Sequence, residues 1–286
     1  MISDITLGQF FPGYSPLHRL DPRSKIIAAV LLIIAIFMAN NPVAFLFLIS
    51  FTLLLIAISR ISFGVIIKGI KPVLVILLVT SLINLFLTTG SGEPLLEFYF
   101  IKIYTEGIAR AIFMSLRVII LIVGTSLLLT YTTSPIALTD ALESLLSPLK
   151  KIGVPVHSFA MMMSIALRFI PTLIEETEKI MNAQKSRGAD FSSGGLVKRA
   201  RALIPLLVPL FVSSFKRADE LAVAMECRCY RGDKNRTKLV KLTYRLIDLG
   251  YLLLFAFALA CVITLGILPY SYETDSIFYN LIFFKI

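Results

Sequence analysis

The chain has 286 residues, of which 57% are hydrophobic and only 16% charged, and its mean hydropathy is +0.86. A soluble domain of this size needs far more charge on its surface, so the composition excludes that class and points to an integral membrane protein. The formal charge of +10 belongs with cytoplasmic loops rather than nucleic acid in so apolar a chain, and three cysteines, Cys227, Cys229 and Cys261, imply no disulfide framework.

The N-terminal stretch "MISDITLGQFFPGYSPLHRLDPRSK" is polar and proline-punctuated, unlike a signal peptide, so the first apolar helix is expected to insert uncleaved. Spanning segments must be helices of roughly 20 residues, because hydrocarbon offers the backbone no partners. The first, "KIIAAVLLIIAIFMAN", starts at Lys25 and turns at Asn40-Asn41-Pro42; the second, "VAFLFLISFTLLLIAIS", ends at Arg60. After the amphipathic "FGVIIKGIK" comes the third, "PVLVILLVTSLINLFLTT". The fourth covers Ile108 to Tyr131, and a fifth, "YLLLFAFALACVITLGIL", lies near the end.

The bias of Lys and Arg toward the cytoplasm orients these spans. Arg19, Arg23 and Lys25 put the N-terminus inside, and Arg60, Lys68 and Lys71 do the same for the loop after the second span. About two-thirds of the 28 Lys and Arg fall between Lys150 and Arg245, a stretch that the span count also makes cytoplasmic. Within the fourth span, Arg110 is read as snorkelling outward and Arg117 as facing protein.

From about Ser134 to Arg236 the pattern changes to amphipathic helices. The first starts at the Ser134-Pro135 cap pair and carries Leu138, Leu142, Leu145 and Leu149 as a stripe. The second runs from near Ser158 to Arg187, membrane-like until interrupted by Arg168 and Pro171, then wet. The third follows Gly194-Gly195; its apolar core, Leu203 to Phe215, is short and basic at both ends, so it reads as interfacial. Beyond Lys216, Ala218, Leu221, Ala222, Met225 and Cys229 make one face of a lever. The charges of Lys216, Arg217, Asp219 and Glu220 are expected to pair locally. The expected architecture is all-α: about five transmembrane helices and a cytoplasmic coupling region of three long amphipathic helices. The expected division is 1–24 N-terminal segment, 25–131 spans one to four, 132–238 coupling region, and 239–286 last span and tail.

The second and third helices each end on an arginine, in "AQKSRGADF" and "AMECRCYRG". Favourable interaction of a cation with the last carbonyls, together with a left-handed cap residue, explains one such end. Two in succession suit docking, since a guanidinium fork bridges carboxylates or carbonyls directionally. Cys227 and Cys229 lie two apart, about 200° around a helix, which argues against a shared metal ion. Met161 to Met163 are adaptable packing, and His18 and His157 are isolated. No "GxxxxGK[ST]" sequence exists in the chain, so no ATP-binding cofactor site is expected in it and its energy must come from another subunit.

Four pieces of the chain carry a resemblance: "SPLHRLDPRSK", "AQKSRGADF", "RADELAVAMECRCYRG", and the order of four spans, coupling region and last span. Together they resemble the transmembrane T component of energy-coupling factor (ECF) transporters, ABC importers of vitamins and metal ions. The resemblance implies that Ser186-Arg187-Gly188 and Cys227-Arg228-Cys229 stand where the family has Ala-Arg-Gly-like motifs, each arginine entering a groove of one of two cytoplasmic ATPase subunits. It further implies a non-catalytic scaffold in the cell membrane that serves a separate substrate-binding membrane subunit (the S component), with vitamins preferred over the alternative of a cobalt or nickel system. A membrane enzyme acting on lipid or prenyl groups is a remoter alternative; Asp140, Asp190 and Asp248, standing singly, supply no paired carboxylates for it.

Overall fold

The computed structural model describes residues 10, 11, 13–87, 96–98, 101–189, 191, 195–230, 232 and 242–267. In chain order the α-helices are α1 (Pro22–Met38), α2 (Pro42–Ser59), α3 (Phe63–Ile70), α4 (Leu74–Leu87), α5 (Thr105–Thr125), α6 (Pro135–Leu145), α7 (Val156–Ser186), α8 (Leu196–Cys227) and α9 (Leu246–Ile267). A small antiparallel hairpin, β1 (Leu96–Phe98) and β2 (Ile101–Ile103), pairs Glu97 with Lys102 and precedes α5. The chain divides into two units, one of residues 10–134 with 242–286, the other of 1–9 with 135–241.

The first unit is built on α1. Asp21 caps it by accepting from the Arg23 amide, and Pro22 supplies the preset φ of the first helical position. The helix therefore begins before Lys25, at Pro22, and takes Lys25 inside. One face of α1 is small and apolar (Ala28, Ala29, Leu32, Ala35, Ile36), so α5 and α9 approach it closely. At Gly124 the approach leaves no room: a Cβ there would lie 2.5 Å from Leu32 Cδ2. The core of this unit continues through Leu48, Leu55, Leu127, Leu128, Phe255 and Val262.

Several polar groups within the unit find partners, although Arg23 Nε, Ser24 Oγ and Arg117 Nε are buried without one. Asn41 donates to Leu265 O at 3.0 Å, tying the start of α2 to the end of α9. Arg117 faces protein, as expected: it donates to Ala39 O at 2.7 Å, with its guanidinium 5.5 Å from the Phe45 ring centre. Arg110 is exposed. Pro72 does not start a new helix. A 3-10 turn, Lys71–Val73, absorbs the missing amide, so α3 and α4 make one helical rod, Phe63–Phe86. The last turn of α5 loosens into a π-helix, Ser126–Tyr131, which ends the fourth predicted span.

Among the described residues, five helical segments are long and apolar enough to cross a membrane: Pro42–Ser59, Phe63–Phe86, Gly107–Tyr131, Val156–Ser186 and Leu246–Gly266. Four of the five predicted spans are among them; α7 is the addition, and α1 is one residue shorter than the shortest of them. With 17 residues, α1 is only about 26 Å long, whereas α7, read as half wet, has 31 residues.

In the second unit α6 packs on α7, and α7 on α8. α6 begins at Pro135, where the Ser-Pro pair places it, but ends after 11 residues, because Pro148 cannot continue the amide ladder and a 3-10 stretch, Ser147–Ile152, follows. It is therefore short, and Leu149 falls outside it. Its buried residues are Thr139 and Ala141; Leu142 is exposed, so the predicted leucine stripe is not the inward face. Gly153, at φ 88°, turns the chain into α7. α7 runs unbroken through Pro171, and α8 through Pro205 and Pro209, at 31 and 32 residues.

Candidate functional site

The two ends of α7 and α8 are built by the same backbone chemistry. At the first, Gly188 N donates to Lys185 O (2.9 Å) and Ala189 N to Gln184 O (3.0 Å). At the second, Cys229 N donates to Glu226 O (2.8 Å) and Tyr230 N to Met225 O (3.0 Å). Each is a Schellman closure, with an arginine as the last half-helical residue and the next residue left-handed. Gly188 takes φ 87° without cost, whereas Cys229 takes φ 56°, a conformation that L-residues other than Gly, Asn and Asp seldom adopt. Cys229 thus occupies the glycine position of the motif, and its thiol lies outside the helix; the 200° argument against a shared ion does not apply to it.

The closures fix how the side chains are offered. Arg187 and Arg228 are both exposed, their backbones pinned at φ −90° and −89°. Ser186 directs its hydroxyl back to Asn182 O at 3.1 Å, so that hydroxyl is engaged within its own helix. Cys227 and Cys229 are free and exposed. Each tip therefore presents one exposed guanidinium at a helix end where the closure already engages two of the free carbonyls.

α7 and α8 are linked upstream of their tips. The guanidinium of Arg217 donates to the Glu176 carboxylate, with the two side chains about a third and a quarter exposed (33% and 26%). Arg217 was expected to pair locally with Asp219 or Glu220; instead it points inward, to a partner 41 residues away. The inner face of α8 consequently runs through Ser214, Arg217, Leu221 and Met225, while Ala218 and Ala222 are exposed. Further up, His157 Nδ1 meets Glu143 Oε1 at 2.8 Å and joins α7 to α6, so His157 is not isolated. The outer face of α8 is apolar: Ile204, Leu207, Val208, Phe211, Val212 and Phe215 are 46–66% exposed and line a shallow cavity of about 770 Å³.

A polar knot in the first unit escapes the sequence reading. Asp248, taken as a lone carboxylate, is 2% exposed and accepts from the amides of Asp21 and Arg245, both at 2.8 Å. Its bond to Arg245 is the backward half of a capping box at the start of α9, and an acid three residues into an apolar run is the signal for it. Lys25, also 2% exposed, donates to Thr132 O at 2.7 Å and His18 O at 3.4 Å. Arg23 stacks 5.3 Å over the Tyr244 ring, with Nη2 3.5 Å from Leu242 O. Thr132 and Leu242 lie just before the chain leaves this unit and just after it returns, so the knot holds both crossing points.

His18 completes the knot's rim: its Nδ1 meets Ser15 Oγ at 2.7 Å and its Nε2 donates to Phe11 O at 2.9 Å. Burial lowers its pKa below the usual histidine value of 6.5. The Lys25 charge acts in the same direction, and the bond to Phe11 opposes both.

Comparison with known proteins gives the family. The family described as CbiQ, cobalt transport protein, matches residues 13–239. The energy-coupling factor transporter transmembrane protein EcfT of Clostridium kluyveri is 54% identical over 242 residues, 85% of this chain and 89% of that protein. The proteins of the same name from Acidaminococcus fermentans and Bacillus subtilis are 51% and 50% identical, over 93% and 85% of this chain and 99% and 91% of their own lengths. None of these three names specifies a metal. The length and apolarity of its helices make the chain a multi-pass membrane protein, and it belongs to the family of the energy-coupling factor transporter transmembrane proteins.

Proposed function

We propose that the chain is the energy-coupling scaffold of an ECF-type ABC importer, carrying ATP-driven motion from two cytoplasmic ATPase subunits to a separate substrate-binding membrane subunit. The observation that carries this reading is the pair of matching helix ends. Two helices of 31 and 32 residues finish in the same closure, each exposing one arginine. A planar, always-charged fork on a rigid, hydrogen-bonded end suits insertion into a carboxylate- or carbonyl-lined groove.

The rest of the chain is consistent with this role. The concentration of Lys and Arg between Lys150 and Arg245 favours a cytoplasmic face for the tips of α7 and α8. The exposed apolar faces of α7 (Phe159, Met162, Met163) and α8 (Phe211, Val212, Phe215) suit a membrane-embedded partner more than water. ATP binding and hydrolysis belong to the ATPases and substrate choice to the other membrane subunit, so this chain is non-catalytic and takes no cofactor.

The reading is tested with the complete complex in proteoliposomes. Replacing Arg187 and Arg228 together with alanine is expected to abolish ATP-dependent uptake while membrane insertion and the thermal stability of the subunit stay unchanged. Undiminished uptake by the double variant rejects the docking role.

A further inference from the structure

The link between Glu176 and Arg217 has a position that its strength does not explain. It sits on the inner faces of α7 and α8, between helices that bury few side chains: of the described residues, only Val156 and Ala160 of α7 and Leu206 of α8 are buried. Glu176 lies eleven residues before Arg187, and Arg217 lies eleven residues before Arg228. Eleven residues are three helical turns, about 16 Å, with a net rotation of only about 20°. On each helix the linking residue and the tip arginine therefore share a face, and the two arms beyond the link are equal in length and phase.

We propose that Glu176 and Arg217 are positioning residues that form a pin between the two coupling helices, so that the two tip arginines move as equal arms about one fixed point. The proposal rests on the reading of the tips as ATPase-docking ends and deepens it. Equal arms deliver the same displacement to two opposed ATPases; a pin displaced along either helix would give one tip a longer stroke. The chemistry of the pair fits a pivot. The two meet through a single contact, from Arg217 Nη2 to the Glu176 carboxylate, and not through the two-bond fork that fixes an orientation; attraction through one contact survives a change of angle, whereas interlocked apolar side chains hold one angle. Exposure of about a quarter to a third of each side chain (26% and 33%) leaves room for that rotation.

The pin is tested apart from transport by the distance between the tips. Spin labels are placed on native Cys227 and on Lys185→Cys in the full chain, with Cys229 and Cys261 changed to serine, and the distance distribution is measured in the assembled complex. E176Q and R217Q are each expected to broaden it by about twofold or more, and the exchanged pair E176R/R217E to narrow it again, as a cycle of coupled residues requires. In the unlabelled complex the same single variants are expected to lower substrate imported per ATP hydrolysed about tenfold, with hydrolysis kept within about twofold, and the exchange to restore the ratio. A distribution unchanged by the single variants, or an exchanged pair as broad or as poorly assembled as either of them, overturns the pin. Absence of ATP-dependent uptake in the unaltered complex counts instead against the docking function, because the distance measurement judges the pin without it.

Discussion

The two units of this chain use the same residue types to opposite ends. In the unit of α1–α5 and α9, side chains close on one another: Leu17, Ile36, Leu48, Leu128 and Val262 are completely buried, and the buried charges Lys25 and Asp248 are both hydrogen-bonded. Both units expose large apolar side chains, Phe37 and Phe257 in the first as much as Phe159 and Phe211 in the second, but in the unit of α6–α8 few of the described side chains are buried and polar pairs rather than a core join one helix to the next. The first pattern makes a scaffold that specifies its own shape. The second leaves its helices joined by a few polar pairs, as the proposed transmission of motion requires.

The contrast is sharpest in the response to losing a charge. The double alanine variant at Arg187 and Arg228 is expected to lose uptake by at least about 100-fold without a change in unfolding temperature, since it removes only interactions with partners. Asp248→Ala is expected to do the reverse damage: two amides are stranded in a buried site, at a cost of about 2–4 kcal/mol of stability, read as a lower unfolding temperature in detergent. Equal loss of stability in both variants would erase the distinction between the units.

A steric comparison has a smaller expected effect. Gly124→Ala forces Leu32 aside and is expected to cost about 1–3 kcal/mol, whereas the second unit's Gly195, with nothing within 4 Å of its ideal Cβ, accepts alanine with less effect. The two tips differ by a single conformational strain. Cys229→Gly is expected to stabilise the end of α8 by about 1 kcal/mol and Gly188→Ala to weaken the end of α7 by a similar amount. Both are read as amide exchange protection at Tyr230 and Ala189.

The smallest expected effect is a pH dependence confined to the first unit. Because His18 is held below its ordinary pKa, the folded state binds its proton less readily than the unfolded chain. The stability tied to neutral His18 is therefore present above about pH 6.5 and is lost as the pH falls below it. His18→Gln is expected to flatten that part of the unfolding temperature against pH between about 7.5 and 5.5.

Much of this division is legible in the sequence, because solid apolar blocks and amphipathic repeats carry different periods. Both tip arginines, the start of α8 after its glycines and the protein-facing role of Arg117 follow from local chemistry. What sequence reasoning misses is long-range polar pairing. Nothing near Asp248 announces Asp21, 227 residues away, and nothing near Arg217 announces Glu176. Local charges at Asp219 and Glu220 offered nearer partners that the phase of α8 turns outward. Prolines misled in the other direction: Pro72 and Pro171 suggested breaks, yet a 3-10 turn absorbs one and a long packed helix carries the other. Asp190 and the tail after residue 267 lie outside the described residues.

The account turns on where the two tips go, and site-specific photo-crosslinking in the assembled, membrane-embedded complex measures this directly. With a photoreactive residue at position 187 or at position 228, the account predicts a cross-link from each tip to one ATPase subunit, and none from a control at exposed Arg110. Tips that cross-link only to lipid, or that a membrane-impermeant reagent labels from the outside, would contradict it.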